Sequence, residues 1–158
     1  MTWYIGIDPG QTGGLALVGA QGGLHEVVQM PAIDGEVDGA SVARKIKSWS
    51  GYPQGDDEVK VILEQVGSMP GQGIASTFKF GKSFGLMIGC VQTLGLPLIR
   101  VTPQKWKQEF ALIKKDKDAS RHKATEMWPH MAHQWPRKKD NGLTDAALIA
   151  EYGRRVGM

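Results

Sequence analysis

The sequence is short of cysteine, of long hydrophobic runs and, in its first part, of basic residues. Cys90 is the only cysteine in 158 residues, so no disulfide can form within the chain, which suits a reducing cytoplasm. The most apolar run, residues 84–99, is interrupted by glycine and proline and is too short to span a bilayer. We therefore expect no membrane partner. The N-terminus has no basic segment and leads directly into a predicted strand, so we expect no signal peptide.

Basic residues are distributed unevenly along the chain. Residues 1–43 contain no Lys or Arg and five acidic residues, whereas residues 100–139 contain eleven Lys or Arg and four acidic residues. Such asymmetry indicates a basic face that meets a polyanion, although a solvated surface without a partner is the alternative. Aromatic residues interleaved with the basic ones would suit stacking on exposed nucleic-acid bases.

The order of apolar segments predicts one α/β domain over residues 1–158. Its first three strands are joined by short turns and should form an antiparallel meander. A helix capped by Asp38 separates them from the fourth strand, and such a crossover makes neighbouring strands parallel. The strands are predicted at residues 3–8, 14–19, 24–30, 59–64 and 96–101. The helices after the first are predicted at residues 74–94, 103–110, 119–128 and 143–155, and residues 31–37 are predicted to be a loop.

Two of the predicted strands end in a carboxylate. Asp8 ends the first strand directly before a Pro-Gly turn, and Glu64 ends the fourth. If these strands are parallel neighbours, both side chains lie at the same edge of the sheet. Gly6 removes bulk beside Asp8, which leaves room for an ion or a backbone segment to approach. The alternative role for Asp8 is to cap the turn.

A third carboxylate, Asp145, belongs to the apolar face of the last helix. Its spacing places it on the side of Leu148, Ile149 and Tyr152, although an acid in a first helical turn is also common as a dipole partner. Three acids cannot all stay ionised in a semi-buried site without cations. Hard oxygen ligands favour Mg²⁺ or Mn²⁺, and two such ions are suited to phosphodiester hydrolysis.

These segments together resemble the RuvC branch of the RNase H-like nucleases. The resemblance rests on residues 5–10 (IGIDPG), 61–64 (VILE) and 144–150 (TDAALIA) and covers almost the whole chain. Residues 71–85 resemble the small RuvC-like proteins of phages. The resemblance implies an RNase H-like fold, in which three antiparallel and two parallel strands form a five-stranded mixed sheet with helices on both faces. It also implies a homodimeric crossover junction endodeoxyribonuclease that resolves Holliday junctions or other branched DNA, in the bacterial cytoplasm if it is phage-encoded.

The resemblance also assigns metal ligands. The residues that match are Asp8, Glu64 and Asp145, which would bind two Mg²⁺ or Mn²⁺ ions. Such families usually carry a fourth acid or a histidine three residues before the last ligand, and this chain has Gly142 there. Asp140, or alternatively Asn141, is then the candidate for a fourth ligand that reaches in from the preceding loop.

Candidate DNA contacts lie in the basic region and in the loop after Glu64. Lys107 and Arg121 match basic residues of the family, and Lys105 and Lys123 are their neighbours. In this family the loop after the second acid usually carries a residue that wedges into the junction. Met69 is the best candidate for the wedge, with Gln65 behind it.

Other functions remain open at this point. Residues 5–13 also resemble the phosphate loop of the actin, sugar-kinase and heat-shock ATPases, but those proteins need two such domains and this chain has room for one. We therefore expect no nucleotide cofactor. The glycine at position 142 motivates a second alternative, a non-catalytic module that binds branched DNA. A nuclease for single-stranded DNA or RNA–DNA hybrids is a third.

Three further patterns need structural placement. Glycines recur every fourth residue at positions 81, 85 and 89, so one helix face is nearly bare and should pack closely on the sheet or on a second copy of the chain. His130 and His133 have the spacing of metal ligands, but a surface position is the favoured interpretation. Trp106, Trp128 and Trp135 are of a residue type that more often packs in the interior than stacks on bases, and the sequence does not assign their roles.

Overall fold

Five strands form one mixed sheet in the computed structural model, which describes all 158 residues. The strands of the chain are β1 (Thr2–Asp8), β2 (Gly14–Val18), β3 (Leu24–Gln29), β4 (Ala32–Ile33), β5 (Glu36–Val37), β6 (Glu58–Glu64) and β7 (Leu98–Val101). The five-stranded sheet has the order β3-β2-β1-β6-β7. The pairs β1–β2 and β2–β3 are antiparallel, whereas β1–β6 and β6–β7 are parallel. The predicted meander followed by two parallel strands is confirmed.

Helices cover both faces of the sheet, as predicted. They are α1 (Gly39–Ser50), α2 (Ile74–Thr93), α3 (Pro103–Glu109), α4 (Ala119–Met127) and α5 (Asn141–Arg155). Two short 3-10 helices, Pro129–Gln134 and Lys138–Asp140, connect α4 to α5. Asp38 caps α1 as expected, because its carboxylate accepts a hydrogen bond from the Ala40 amide. None of the helices is long and apolar enough to cross a bilayer.

The two faces of β1 belong to two separate halves of the core. Ile5 and Ile7 are fully buried on the side that also contains Val42 of α1 and Met87 of α2. Tyr4 lies on the other side, with the apolar residues of α3, α4 and α5. Since alternate residues of a strand point to opposite faces, Asp8 leaves β1 on the side of α5.

Helix α5 approaches β1 unusually closely because glycine lies at the contact points. A Cβ at Gly6 would collide with the carbonyl oxygen of Ala146 and would lie 2.6 Å from the amide nitrogen of Ala150. A Cβ at Gly142 would collide with the carbonyl oxygen of Thr12 and would lie 2.9 Å from Gly13 Cα. The space beside Asp8 that Gly6 provides is therefore filled by the backbone of α5.

The segment predicted as a loop at residues 31–37 contains a small hairpin. Strands β4 and β5 pair antiparallel, and the turn between them places Asp34 and Gly35 at φ 51° and 78°. Two consecutive positive φ values are typical of a two-residue hairpin turn, for which Asp-Gly is a favoured pair. The Asp34-Gly35 pair was the available signal, but strands of two residues carry no hydrophobic periodicity.

Candidate active site

Three elements bring carboxylates to one edge of the sheet. Strands β1 and β6 are parallel neighbours with Ile7 opposite Leu63, so Asp8 and Glu64 lie side by side at the carboxyl ends of their strands. Asp145 lies in the second turn of α5, which packs against β1 at Gly6. The three side chains are all partly buried. The structure thus brings together the three acids that the sequence singled out.

Burial and mutual repulsion raise the pKa values of these three carboxyls. Burial, followed by the negative charges of Asp145 and Glu64, raises the pKa of Asp8 well above its ordinary value. Burial is also the largest cause for Asp145, whose pKa is raised to about 6, and it raises the pKa of Glu64. Lys107 opposes the rise in pKa at all three carboxyls. The site therefore holds more negative charge than the protein neutralises.

The donor set fits a hard divalent cation in chemistry. All of its ligating atoms would be carboxylate oxygens, and a divalent ion would supply the missing positive charge. In the present rotamers, however, no three His, Cys, Asp or Glu side chains form a cluster close enough to hold a metal ion. A divalent ion held by Asp8, Glu64 and Asp145 together would require other rotamers of these side chains.

Trp106 holds Glu64 in its present position. The indole Nε1 of this fully buried residue donates a hydrogen bond of 2.6 Å to Glu64 Oε2. The bond favours the ionised carboxylate, because it opposes the rise in the pKa of Glu64 that burial causes. The contact joins residues 42 positions apart, so no spacing in the sequence predicts it.

We expect Trp106→Phe to weaken divalent-metal binding about 10-fold, because hydrogen bonds that orient a ligand typically contribute this much or more. The phenyl ring keeps most of the buried surface but cannot donate to Glu64. Calorimetric titration with Mn²⁺ measures the change.

Trp49→Phe is the matched control for this experiment. Trp49 is also fully buried, and its indole donates a 2.6 Å hydrogen bond to Glu26 on the other face of the sheet. Equal loss of Mn²⁺ affinity in the two variants would contradict a specific role for Trp106.

Asp140, the predicted fourth ligand, is held by another partner. It is 2% exposed, and Arg137 donates to its carboxylate from Nε, Nη2 and the backbone amide at 2.8–3.1 Å. These bonds lower the pKa of Asp140. Asp140 lines a cavity together with Gly13, in the turn between β1 and β2, and with Gly142. Its part in metal binding stays a prediction that this arrangement does not favour, and Asn141 lies next to it at the start of α5.

The predicted DNA contacts fall into two groups. Lys107 is partly buried beside the three carboxyls, and Lys105 is exposed on the same short helix, α3. Arg121, in contrast, is engaged within the protein: it donates to Asp118 at 2.7 Å and to the carbonyl oxygens of Trp135 and Pro136. Arg121 therefore fixes the segment after α4, and its part in DNA binding stays a prediction that this arrangement does not favour. This ion pair is not evident from the sequence.

Lys123 lies outside the set of side chains around Asp8, Glu64 and Asp145, and its ammonium pairs with Glu126 at 3.2 Å. It lines an open cavity of about 500 Å³ with Lys115 and Lys138. Asp116, Asp118 and Glu126 line the same cavity, so its acidic residues balance the three lysines. Sequence reasoning missed Lys117, whose charge acts on Asp145.

The loop after Glu64 presents its side chains to solvent. Gln65 is exposed, and Met69 is 72% exposed. Both line a cavity of about 480 Å³ that also contains Glu64 and Phe80. Gln65 and Met69 thus lie next to the carboxylate of Glu64, as their predicted role in DNA binding requires.

The remaining candidates are placed clearly. Trp106, Trp128 and Trp135 are at most 3% exposed and belong to one half of the core, so all three pack in the interior. His130 and His133 are exposed on a 3-10 helix, where the carbonyl oxygen of His130 lies 3.1 Å from His133 Nδ1. This surface position agrees with the favoured interpretation.

Comparison with solved structures identifies the fold. The structure of Thermus thermophilus RuvC is 21% identical in sequence, with a TM-score of 0.62, and the match covers 98% of this chain and 96% of that one. The structure of T. thermophilus RuvC in complex with a Holliday junction substrate is 19% identical, with a TM-score of 0.65, and covers 100% and 98%. No family model and no curated protein matches the sequence. The chain has a RuvC-like fold over nearly its whole length.

Proposed function

We propose that this chain is a divalent-metal-dependent endonuclease that cuts branched DNA, with four-way Holliday junctions as its main substrate. The observation that carries the proposal is the meeting of Asp8, Glu64 and Asp145 at one sheet edge. The RuvC-like fold adds support, since one solved protein with this fold is in complex with a Holliday junction substrate. We place this activity in a reducing cytoplasm, in agreement with the lone Cys90.

Each residue of the site has a distinct role in this proposal. Asp8, Glu64 and Asp145 would hold Mg²⁺ or Mn²⁺ through their carboxylate oxygens. A bound pair of such ions activates water and stabilises the leaving oxygen in phosphodiester hydrolysis. The central strand β1 fixes the position of Asp8, and Trp106 orients Glu64 through its indole N–H. Met69 and Gln65 would contact the branch beside the cleaved strand.

Lys107 is the cation best placed to bind the phosphate next to the scissile bond. It is the one basic residue whose charge acts on all three carboxyls. Its ammonium lies 5.4 Å from the centre of the Trp106 ring, which helps to fix the side chain. A phosphate that approaches the three carboxylates would therefore meet the compensating positive charge of Lys107.

We expect Lys107→Gln to weaken junction binding and to lower the slope of log affinity against log salt by about 1, as the loss of one phosphate contact predicts. Binding is measured by fluorescence anisotropy between 50 and 200 mM salt, a range over which phosphate contacts dominate the response. Lys47→Gln, in the exposed last turn of α1, is the control. The same slope for Lys107→Gln and wild type would argue against the contact.

The outer face of α2 supports a homodimer. Gly81, Gly85 and Gly89 have nothing within 4 Å of an added Cβ, so the sheet is not the partner of this bare face. Ile74 and Phe78 continue the same face and are 91% and 74% exposed. Each helical glycine is less favourable than alanine by about 1 kcal/mol, and close contact with a second copy would offset this. A two-fold dimer would also present two sites for paired cuts.

We expect Gly85→Arg to convert the dimer into a monomer without loss of folding, because the side chain points into open space within one chain but blocks close helix contact. Light scattering should give twice 17.2 kDa for wild type and a single chain mass for the variant. Ser48→Arg on exposed α1 controls for the added charge. A wild type that stays monomeric while it binds a junction would refute the dimer.

A metal titration on a panel of substrates tests the nuclease itself. Labelled four-way junction, flap, linear duplex, single-stranded DNA and RNA–DNA hybrid are incubated with increasing Mg²⁺ or Mn²⁺. Metal-dependent cuts in the junction and little cleavage of linear duplex would support the proposal. Preferred cleavage of single strands or hybrids would replace the substrate class. Junction binding without cleavage at any metal concentration would establish the non-catalytic alternative.

A further inference from the structure

A cavity of about 400 Å³ adjoins the three carboxylates on the side of Asp8, and the proposed function gives it no role. Its floor is the turn from Asp8 to Gly13, one wall is α2, and the other wall is the β4–β5 hairpin. The volume is in the range of sites that enclose a small ligand. Nine of the 16 lining residues have polar side chains, and Gln11, Thr12 and Ser76 are among those available for hydrogen bonds.

Phe80 separates this cavity from the one beside Glu64. It lines both, together with Gln72. The tip of its ring lies 3.8 Å from the position of a Cβ at Gly10, so the ring spans the gap between α2 and the turn after Asp8. Phe80 is still 40% exposed. A partly exposed aromatic ring between these two cavities offers a stacking surface beside the carboxylates of Asp8 and Glu64.

The rim of the cavity carries two lysines and one carboxylate. Lys82 pairs with Glu36 at 2.8 Å across the rim, and both side chains are more than half exposed. Such an exposed pair contributes little and exchanges readily. Lys79 lines the same cavity and acts on Glu36 only at longer range. Two ammonium groups against one carboxylate leave about one positive charge at the rim, while Asp8 adds a negative charge at the floor.

We propose that this cavity binds a single nucleotide of the cleaved strand, next to the scissile phosphate, with its base stacked on Phe80 and its phosphate near Lys79 and Lys82. The proposal rests on the nuclease function above and specifies one of its substrate contacts. A free nucleoside triphosphate has the same base and sugar, but its several negative charges face the carboxylates of Glu36 and Asp8. A residue of a DNA strand brings only one charge.

The test is a double-mutant cycle between Phe80 and individual bases of a four-way junction. Affinity is measured in the Asp8→Asn background, which prevents cleavage, with intact junction and with junctions that lack one base near the branch point. Phe80→Ala should bind intact junction roughly 5- to 150-fold more weakly, the range found for one stacked base. On the junction without the matching base, the same substitution should have no effect.

Companion variants separate stacking from folding. Phe80→Trp should restore affinity, whereas Phe80→Leu fills space without an aromatic face and should resemble Phe80→Ala. Tyr52→Ala removes a similarly exposed ring that packs near Trp3 and lines neither cavity, and it should bind like the parent. Thermal melting of each variant verifies that it is folded.

The outcomes distinguish this inference from the nuclease proposal. A Phe80 effect that is absent, or that persists whichever base is removed, would overturn the nucleotide site while cleavage by wild type stands. Base-specific coupling in a protein that never cleaves would support the site and refute the nuclease. Thermal stabilisation by free ATP or dAMP that depends on Phe80, without coupling to DNA, would overturn the assignment to a strand residue.

Discussion

Replacing Asp8 with asparagine is expected to reduce junction cleavage by about 10³-fold or more, since loss of a metal ligand removes several kcal/mol of transition-state stabilisation. Asparagine has almost the same shape but no negative charge. Glu64→Gln and Asp145→Asn should behave in the same way. The rate is measured in single-turnover cleavage of a labelled four-way junction at saturating Mg²⁺.

Junction affinity should be kept or even increased in these variants, because they remove negative charge next to a phosphate. Asp56→Asn, in an exposed loop before β6, is the matched control and should cleave like wild type. Any of the three site variants that still turns over at the wild-type rate would lose its assigned role. The other two roles would then have to be reconsidered with it.

The same substitutions should stabilise the protein in the presence of a chelator. The pKa of Asp145 is about 6 in the folded protein, above its ordinary value of 3.8, so folding favours the protonated side chain. This contribution to stability is fully present below about pH 4 and is lost as the pH rises through about 6. The gain from Asp145→Asn should thus be near zero at pH 4 and about 1–3 kcal/mol at pH 7. A gain that is constant with pH would contradict this origin.

Replacing Gly142 with aspartate, which would restore the acid expected at this position, should instead destabilise the fold by about 3 kcal/mol or more. Any Cβ here collides with the carbonyl oxygen of Thr12 and crowds Gly13. These are backbone atoms of the turn after Asp8 and cannot move without disturbing β1. Chemical denaturation of purified protein measures the loss.

Gly142→Ala should show most of this loss, because the collision begins at Cβ and needs no carboxylate. Gly67→Ala, where nothing lies within 4 Å of the added carbon, should change stability by no more than about 0.5 kcal/mol. A stable Gly142→Asp variant with faster cleavage would show that a fourth acid can enter the site. In that case the turn would have to be more adaptable than its contacts indicate.

The sheet and its two strand-terminal acids were predictable because their signals are local. Apolar runs that end at Asp8 and Glu64, with one helix between them, define parallel neighbours whatever the rest of the chain does. Asp145 followed from the periodicity of α5. The small β4–β5 hairpin escaped because its strands are too short to show a pattern.

Other contacts could not be predicted because they depend on which surfaces meet. Nothing in the sequence pairs Trp106 with Glu64, and nothing distinguishes Arg121, bound by Asp118, from the partly exposed Lys107. The sequence marked Gly142 as unusual, but only the packing of α5 against the turn explains why glycine is there. Nothing in the sequence shows that Arg137 donates to Asp140, the predicted fourth ligand.

The close packing of α5 against β1 also affects when the site is completed during synthesis of the chain. Strands β1 and β6 leave the ribosome long before α5, which follows every other element in the chain and carries Asp145. Until α5 docks against Gly6, the emerging polypeptide has two of its three carboxylates and an open groove beside them. Under the proposed nuclease function, a nascent chain would therefore lack a complete set of three carboxylates until α5 has docked.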